Sequence, residues 1–307
     1  MPESLRGGVI GAGVFGGYHA RQYARLDGVT LSAVFDPHPE RAAQVAMPLG
    51  GRAFTDLEAF LEAVDVVTVA SPATFHAEQA LAAIAAGKPV YVEKPIAVSV
   101  AEGEKIREAA AKAGLVVTCG HQERVVSQAM GLLDIPEQPV LLEALRHGPP
   151  SDRSQDISVV LDLMVHDIDL ALALSTAEPV TAEGEGRIGA SGSWDTARAE
   201  VSFEGGFTAL FDVSRQAPGR RRTMRVVFPS GEVEIDFMTR AFRNTTPFAL
   251  NADFADTPAA KDPLGASVEG FLAAVRGEAS RPVVNAEEAI RALDLALAIE
   301  QALEEHG

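Results

Sequence analysis

The sequence predicts an α/β protein: an N-terminal Rossmann domain with a doubly wound parallel sheet, then an α+β domain with an open, largely antiparallel sheet. Three observations predict it. Short β-branched runs alternate with alanine-rich helical stretches through the first 120 residues. A glycine triad closes the first of those runs. After His121 the pattern changes to longer strands of alternating polarity. A chain of 307 residues suits two domains, here 1–122 and 123–307.

The strand-like runs lie at 8–10, 31–35, 64–70, 89–92 and 115–119, with helices near 14–26, 40–47, 57–63, 75–86 and 100–113. Gly87 and Gly114 fall just past helix ends, where a glycine stops a helix. A strand at 140–146 and a polar loop at 148–156 lead to a helix from about 158 to 174. Strands follow at 197–203, 207–215, 223–228 and 232–238, with hairpin turns at Glu204-Gly205-Gly206 and Pro229-Ser230-Gly231. In the last of these, Val233, Ile235 and Phe237 alternate with Glu232, Glu234 and Asp236, the pattern of a sheet with one wet face. The segment 240–263 reads as irregular, and helices near 264–276 and 286–305 close the chain.

Composition narrows the function. The apolar fraction is 47%, enough for a sizeable core, and no run approaches the roughly 20 apolar residues that span a bilayer. Met1-Pro2-Glu3-Ser4-Leu5-Arg6 lacks the basic and apolar regions of a signal peptide, so a cytoplasmic location and no membrane partner are expected. The net charge of −17 repels nucleic acid, while leaving room for a local basic cluster to hold a small anion. The one cysteine, Cys119, reads as a small buried residue, and no Cys/His spacing suggests a metal.

Gly11-Ala12-Gly13-Val14-Phe15-Gly16 places G-x-G-x-x-G between a strand and a helix. The first glycine permits the tight turn, the second lets a pyrophosphate approach the backbone, and the third lets helix meet strand. The helix N-terminus adds N–H groups and partial positive charge. Asp36 ends the second strand, twenty residues past Gly16, where a carboxylate suits an unmodified adenosine ribose. The expected cofactor is therefore NAD in preference to NADP. Ser71 and Pro72 follow the next strand, so their backbone should line the same crevice, with His76 capping or packing behind them. Glu93 and Lys94 follow the strand 89–92, and Gln122 lies at the domain seam within reach of a nicotinamide or substrate hydroxyl. All are assigned to the cofactor site.

Lys94, at the end of a strand in an open α/β sheet, can stabilise a developing alkoxide. Asp162, His166 and Asp169 fall at i, i+4 and i+7 on one stripe of a helix, beside the apolar stripe of Leu161, Val165, Ile168 and Leu172. A histidine between carboxylates suits a general base near neutral pH, though the same stripe also suits a half-buried structural histidine. Lys94, Asp162 and His166 are the catalytic candidates, and residue types alone do not decide whether Lys94 or His166 accepts the proton. Arg124, Arg146 and Arg153, with the run Arg220-Arg221-Arg222, could receive a phosphate, so the first three join Asp162 and His166 as substrate candidates. The run also reads as an ordinary solvated patch.

Taken together, these residues resemble the Gfo/Idh/MocA family of sugar and cyclitol dehydrogenases, from the glycine fingerprint through Glu93-Lys94-Pro95 and Asp162-x-x-x-His166-Asp167 to Val283-Val284-Asn285-Ala286-Glu287-Glu288. The resemblance implies that Lys94, Asp162 and His166 line one site, with a nicotinamide between sheet and substrate. It implies a homodimer or homotetramer formed through the second domain's open sheet, and a last helix that returns to the first domain. Gly120-His121-Gln122-Glu123-Arg124 and the segment 161–169 look like the nucleotide-sugar 3-dehydrogenase branch, which usually continues Glu-Arg with Phe-Asn-Pro where this chain has Val125-Val126-Ser127. Three readings stand: a nucleotide-sugar dehydrogenase, a dehydrogenase of a free sugar or inositol, and a non-catalytic dinucleotide sensor.

Overall fold

Alternation of β-branched and alanine-rich segments becomes alternation of strand and helix in the computed structural model, which describes residues 4–150, 156–190 and 192–306. The order is β1 (Leu5–Ile10), α1 (Val14–Arg25), β2 (Val29–Phe35), α2 (Pro39–Ala46), β3 (Arg52–Phe54), α3 (Leu57–Glu62), β4 (Val66–Val69), α4 (His76–Ala85), β5 (Val90–Val92), α5 (Val100–Ala113) and β6 (Val117–Cys119). The strands are all parallel and lie in the order β3-β2-β1-β4-β5-β6. The chain thus crosses over between β1 and β4, and ligands of such sheets bind beyond the carboxyl ends at that switch point. β3 was not foreseen; three residues at an edge, mostly exposed, carry too little apolar signal.

The second sheet follows α6 (Gln122–Met130), another unforeseen element. It comprises β7 (Leu141–His147), β8 (Pro179–Ile188), β9 (Trp194–Phe203), β10 (Thr208–Ser214), β11 (Arg221–Phe228), β12 (Gly231–Asp236) and β13 (Phe242–Asn244). Their order is β13-β12-β11-β7-β10-β9-β8, antiparallel except for the β7–β10 pair. Both expected hairpins are present, at β9–β10 and β11–β12. One face carries Leu142, Ala144, Ala199, Phe211, Met224 and Ile235, all buried. The other bounds a concavity of about 1050 Å³ lined by Glu143, Leu145, Arg198, Leu210, Asp212 and Arg225 among others. A helical segment begins with a π-helical turn (Val160–Met164) and continues as α7 (Val165–Leu174). Ser158 starts it, its Oγ accepting from the Val160 and Leu161 N–H groups at 3.1 and 3.2 Å.

The expected boundary at 122/123 needs correction further on. One compact unit comprises Met1–Gln122 with Asp262–Ile290, and the other Glu123–Lys261 with Arg291–Gly307. The segment that joins the first unit is led by α9 (Pro263–Val275), which follows the short α8 (Pro258–Lys261). On α9, Leu264, Val268, Phe271 and Leu272 form one helical stripe buried with Val9, Tyr23, Val34 and Tyr91. Tyr91 hydroxyl meets Ser267 Oγ at 3.0 Å, and Gln22 Nε2 donates to both Asp262 oxygens at 3.1 and 3.2 Å. So α9, rather than the last helix, makes the return. The last helix, α10 (Ala286–His306), keeps only its first turn in the first unit. That turn is set by a reciprocal cap: Asn285 Oδ1 accepts from Glu288 N–H and Glu288 Oε2 from Asn285 N–H, each at 2.9 Å. Among the described residues no helix is long and apolar enough to cross a membrane.

Candidate functional site

In the first unit the predicted cofactor residues gather along the carboxyl edge of the parallel sheet, at the ends of β1, β2, β4 and β5. Gly11 adopts φ +97°, and a side chain there would strike the Ser71 N and Ala70 carbonyl. A Cβ on Gly16 would run into the Gly11 carbonyl oxygen, so that glycine is demanded by the protein's own packing. Gly13 differs. A Cβ there meets no protein atom within 4 Å. A glycine that protein crowding does not require, exposed at the N-terminal cap of α1, fits a backbone kept bare for a phosphate. Beside it Val14 is exposed, and Phe15 stands edge-on to Tyr18 at 5.8 Å.

Asp36 is buried and braces this loop. Its Oδ2 accepts from Ala12 N–H and its Oδ1 from His38 N–H, both at 2.9 Å. A carboxylate has capacity for further donors, so the bracing is compatible with a ribose hydroxyl. Ser71 Oγ donates to Gln79 Oε1 at 2.6 Å, and Pro72 is exposed. His76 is buried, with Nδ1 2.7 Å from the Pro95 carbonyl oxygen and Nε2 2.9 Å from that of Ser71. It lies between the loop after β4 and the loop after β5, and in its neutral form, with one N–H, donates to one of the two carbonyls at a time. Burial outweighs both carbonyls and holds its pKa below the usual imidazole value.

Glu93 lies directly behind Lys94. Its carboxylate is buried and accepts from His19 Nε2 at 2.7 Å. Burial opposes the charge, yet His19, Lys94 and His76 keep the carboxyl below its ordinary value. Glu93 is thus bonded within the sheet's edge, and its expected direct cofactor role gives way to one of bracing. Lys94 is half-buried at the end of β5. His19 escaped the sequence reading; its signal was a place on the same buried α1 face as Gly16, Ala20 and Tyr23.

In the second unit Asp162 and His166 are half-buried on the π-helical turn and on α7. Val165 N–H reaches five residues back to the Val160 carbonyl. The i, i+4 stripe drawn from regular α-helical geometry therefore does not hold across Asp162, and such widened turns recur at functional sites. Asp169 does not flank His166 as a partner for chemistry. It is buried in a two-bond pair with Arg124, at 2.6 and 3.0 Å. Arg146 is likewise enclosed, donating to Asp167 at 2.8 and 3.0 Å and to Glu123 at 3.0 Å. Burial opposes its charge, but Asp167 and Glu123 hold the guanidinium well above its usual pKa. Arg124 and Arg146 are therefore committed to carboxylates, which corrects their assignment to a substrate phosphate. Arg153 lies outside the described residues. Gln122, the last residue of the first unit's N-terminal stretch, opens α6. Cys119 is buried in β6, and among the described residues no cluster of His, Cys, Asp or Glu could hold a metal ion.

Comparison with known proteins agrees with this layout. Residues 5–121 match the family described as "Oxidoreductase family, NAD-binding Rossmann fold", and residues 143–234 match the "GFO/IDH/MocA C-terminal domain". The chain is 35% identical over 287 residues to UDP-N-acetylglucosamine 3-dehydrogenase of Acidithiobacillus ferrooxidans, covering 91% of this chain and 90% of that one. A solved structure of that protein superposes with a TM-score of 0.89 at 32% identity, over 99% of each chain. Scyllo-inositol 2-dehydrogenase (NAD(+)) of Bacillus subtilis is 28% identical over 71% of this chain and 69% of its own.

Proposed function

Because the chain belongs to the Gfo/Idh/MocA family of NAD-binding oxidoreductases, we propose that it oxidises a secondary hydroxyl of a nucleotide sugar, at C3 of UDP-N-acetylglucosamine. The observation that carries the reading is Lys94, held by the Glu93–His19 brace at the same carboxyl edge as the bare glycine loop. The likeness to a UDP-N-acetylglucosamine 3-dehydrogenase over nine-tenths of the chain supports the substrate. Gly11, Gly13, Gly16 and Asp36 hold NAD, which supplies the hydride acceptor.

The chain's own residues handle the proton. His166 takes the hydroxyl proton, Asp162 orients the imidazole, and Lys94 steadies the oxygen as its negative charge grows. The C–H bond breaks with its electron pair leaving as hydride, so the alcohol becomes a ketone and one proton remains on His166. Two subunits or four, joined through the open sheet face, complete the proposal; the mixed Leu145, Leu210 and Arg225 lining supports it.

The test follows NADH formation with UDP-N-acetylglucosamine and with myo- and scyllo-inositol. Lys94→Ala and His166→Ala should each lower turnover by at least about 10²-fold, the scale of a positioned acid–base group, with NAD affinity retained. Full activity in both variants defeats the assignment. Oxidation of the inositols alone transfers the reading to the second substrate class, which the relative from Bacillus subtilis favours.

A further inference from the structure

β11 faces β7 in an antiparallel ladder that sets Arg222 directly opposite Arg146. Directly opposed residues project from the same face of a sheet. On β11 that face continues as Met224, Val226 and Phe228, which are 2%, 1% and 3% exposed. Arg222 is therefore an inward-facing arginine at the end of an apolar row. Its neighbour Arg146 is fully engaged, with two bonds to Asp167 and one to Glu123. Arg222 is not: among the described residues its guanidinium has neither a hydrogen bond nor an ion pair. The charges that act on it are Arg146, Arg220, Glu123 and Asp167. Both carboxylates among them are already bonded to Arg146. Burial, then Arg146, draws its pKa below the usual guanidinium value. A partly buried cation is costly to keep unless something anionic comes to meet it.

A second observation marks the same end of the sheet. Phe237 N–H donates to the Arg222 carbonyl at 2.8 Å, and the turn that follows Phe237 is closed by Arg240 N–H donating to Asp236 O at 2.8 Å. Among the described residues Arg240 is the one non-glycine residue in the left-handed region, with φ 65°. Its Nη1 is buried and has no hydrogen-bond partner. Residues are held in that conformation only where their surroundings demand it. Arg240 thus lies on the turn that follows the strand end bonded to Arg222, and among the described residues its Nη1, like the Arg222 guanidinium, has no acceptor. Among the described residues of this unit the buried carboxylates Asp169, Asp167 and Asp195 are already taken by Arg124, Arg146 and Arg215.

We propose that Arg222 anchors the diphosphate of the substrate, an inference that rests on the nucleotide-sugar reading above. A diphosphate brings the missing negative charge and presents paired oxygens to the planar guanidinium fork. This moves the phosphate seat from Arg124 and Arg146, which have partners, to Arg222, which has none among the described residues.

The test uses the full chain with NAD present and measures UDP and uridine binding by titration calorimetry. Arg222→Gln should weaken UDP by at least about thirtyfold, the low end for removing one member of a buried charged contact, and leave uridine within about twofold. Arg222→Lys, which keeps the charge and the fold but loses the fork, should lose several-fold for UDP only. A merely structural arginine would move both ligands together. UDP binding by the wild type that neither variant alters overturns the anchor and leaves the nucleotide-sugar reading standing. A wild type that binds neither UDP nor inorganic pyrophosphate overturns that reading and this inference with it. If Arg222→Gln does not fold, shown by loss of the Trp194 unfolding transition of the second unit, Arg222→Lys decides alone.

Discussion

Replacing Arg146 by methionine separates two roles that its position permits. The side chain is 2% exposed, and its guanidinium makes three charge-assisted bonds, two to Asp167 and one to Glu123. Removing it strands the Asp167 carboxylate, 4% exposed, without a counter-charge. Breaking a buried ion pair from one side costs about 3–5 kcal/mol, against a whole-domain stability of about 5–15 kcal/mol. With a urea slope of about 2 kcal/mol/M, the midpoint should fall by about 2 M. The assay is built into the chain, because the single tryptophan, Trp194, opens β9 and reports the second unit. Pairing Arg146→Met with Asp167→Leu should recover most of the loss, since a well-packed apolar pair often equals a buried ion pair. A single-variant loss below about 1 kcal/mol, or a double variant no better than the single, would refute the structural role. UDP affinity provides the contrast: a phosphate-binding Arg146 would lose binding while the midpoint stayed put.

Two further outcomes concern the first unit. Gly16→Ala drives a Cβ into the Gly11 carbonyl, so the loop must shift; NAD binding measured by fluorescence quenching should be lost while the second unit's Trp194 transition is unchanged. Burial draws the folded pKa of His76 below its unfolded value of about 6.5. The unfolded state then takes up the proton first, and the stability it contributes is present above about pH 6.5 and is lost as pH falls towards the folded pKa. Stability of the first unit should decline on acidification by at most about 1.4 kcal/mol per pH unit from this group, a slope that His76→Gln should flatten. An unchanged slope would remove His76 from the account.

The first sheet was legible because buried parallel strands are runs of β-branched residues, and the glycine fingerprint carries its own geometry in three positions. The second sheet was legible where alternation was strict, as in Val233, Ile235 and Phe237. Pro179–Ile188 was missed because most of β8 is exposed and holds two glycines among its acids, leaving no period-2 signal. α9 was seen as a helix, but nothing local says which unit its stripe of Leu264, Val268, Phe271 and Leu272 will cover. The arginines show the limit most clearly. Arg124, Arg146 and Arg222 are alike as letters, and only pairing with Asp169 and with Asp167 distinguishes the first two from the third. One clue was nevertheless present: Arg222 sits in phase with Met224, Val226 and Phe228, where alternation calls for an apolar side chain.

That phase also makes a claim about salt. The chain carries a net charge of −17 and its proposed ligand is an anion, so at long range the two repel. Salt screens such repulsion over a Debye length of about 10 Å at 0.1 M, and screening should therefore help the ligand in. A close guanidinium–phosphate contact behaves oppositely, since added anions compete for the same fork. In the wild type the short-range attraction at Arg222 should dominate, and UDP affinity should fall between 0.05 and 0.5 M salt, roughly from a 14 Å to a 4 Å screening length. In Arg222→Gln only the repulsion is left, so affinity, though weaker overall, should stay level or rise over the same range. Calorimetric titrations at four salt concentrations decide it. Parallel downward slopes in the two proteins would place the counter-charge on some other residue and end the case for Arg222.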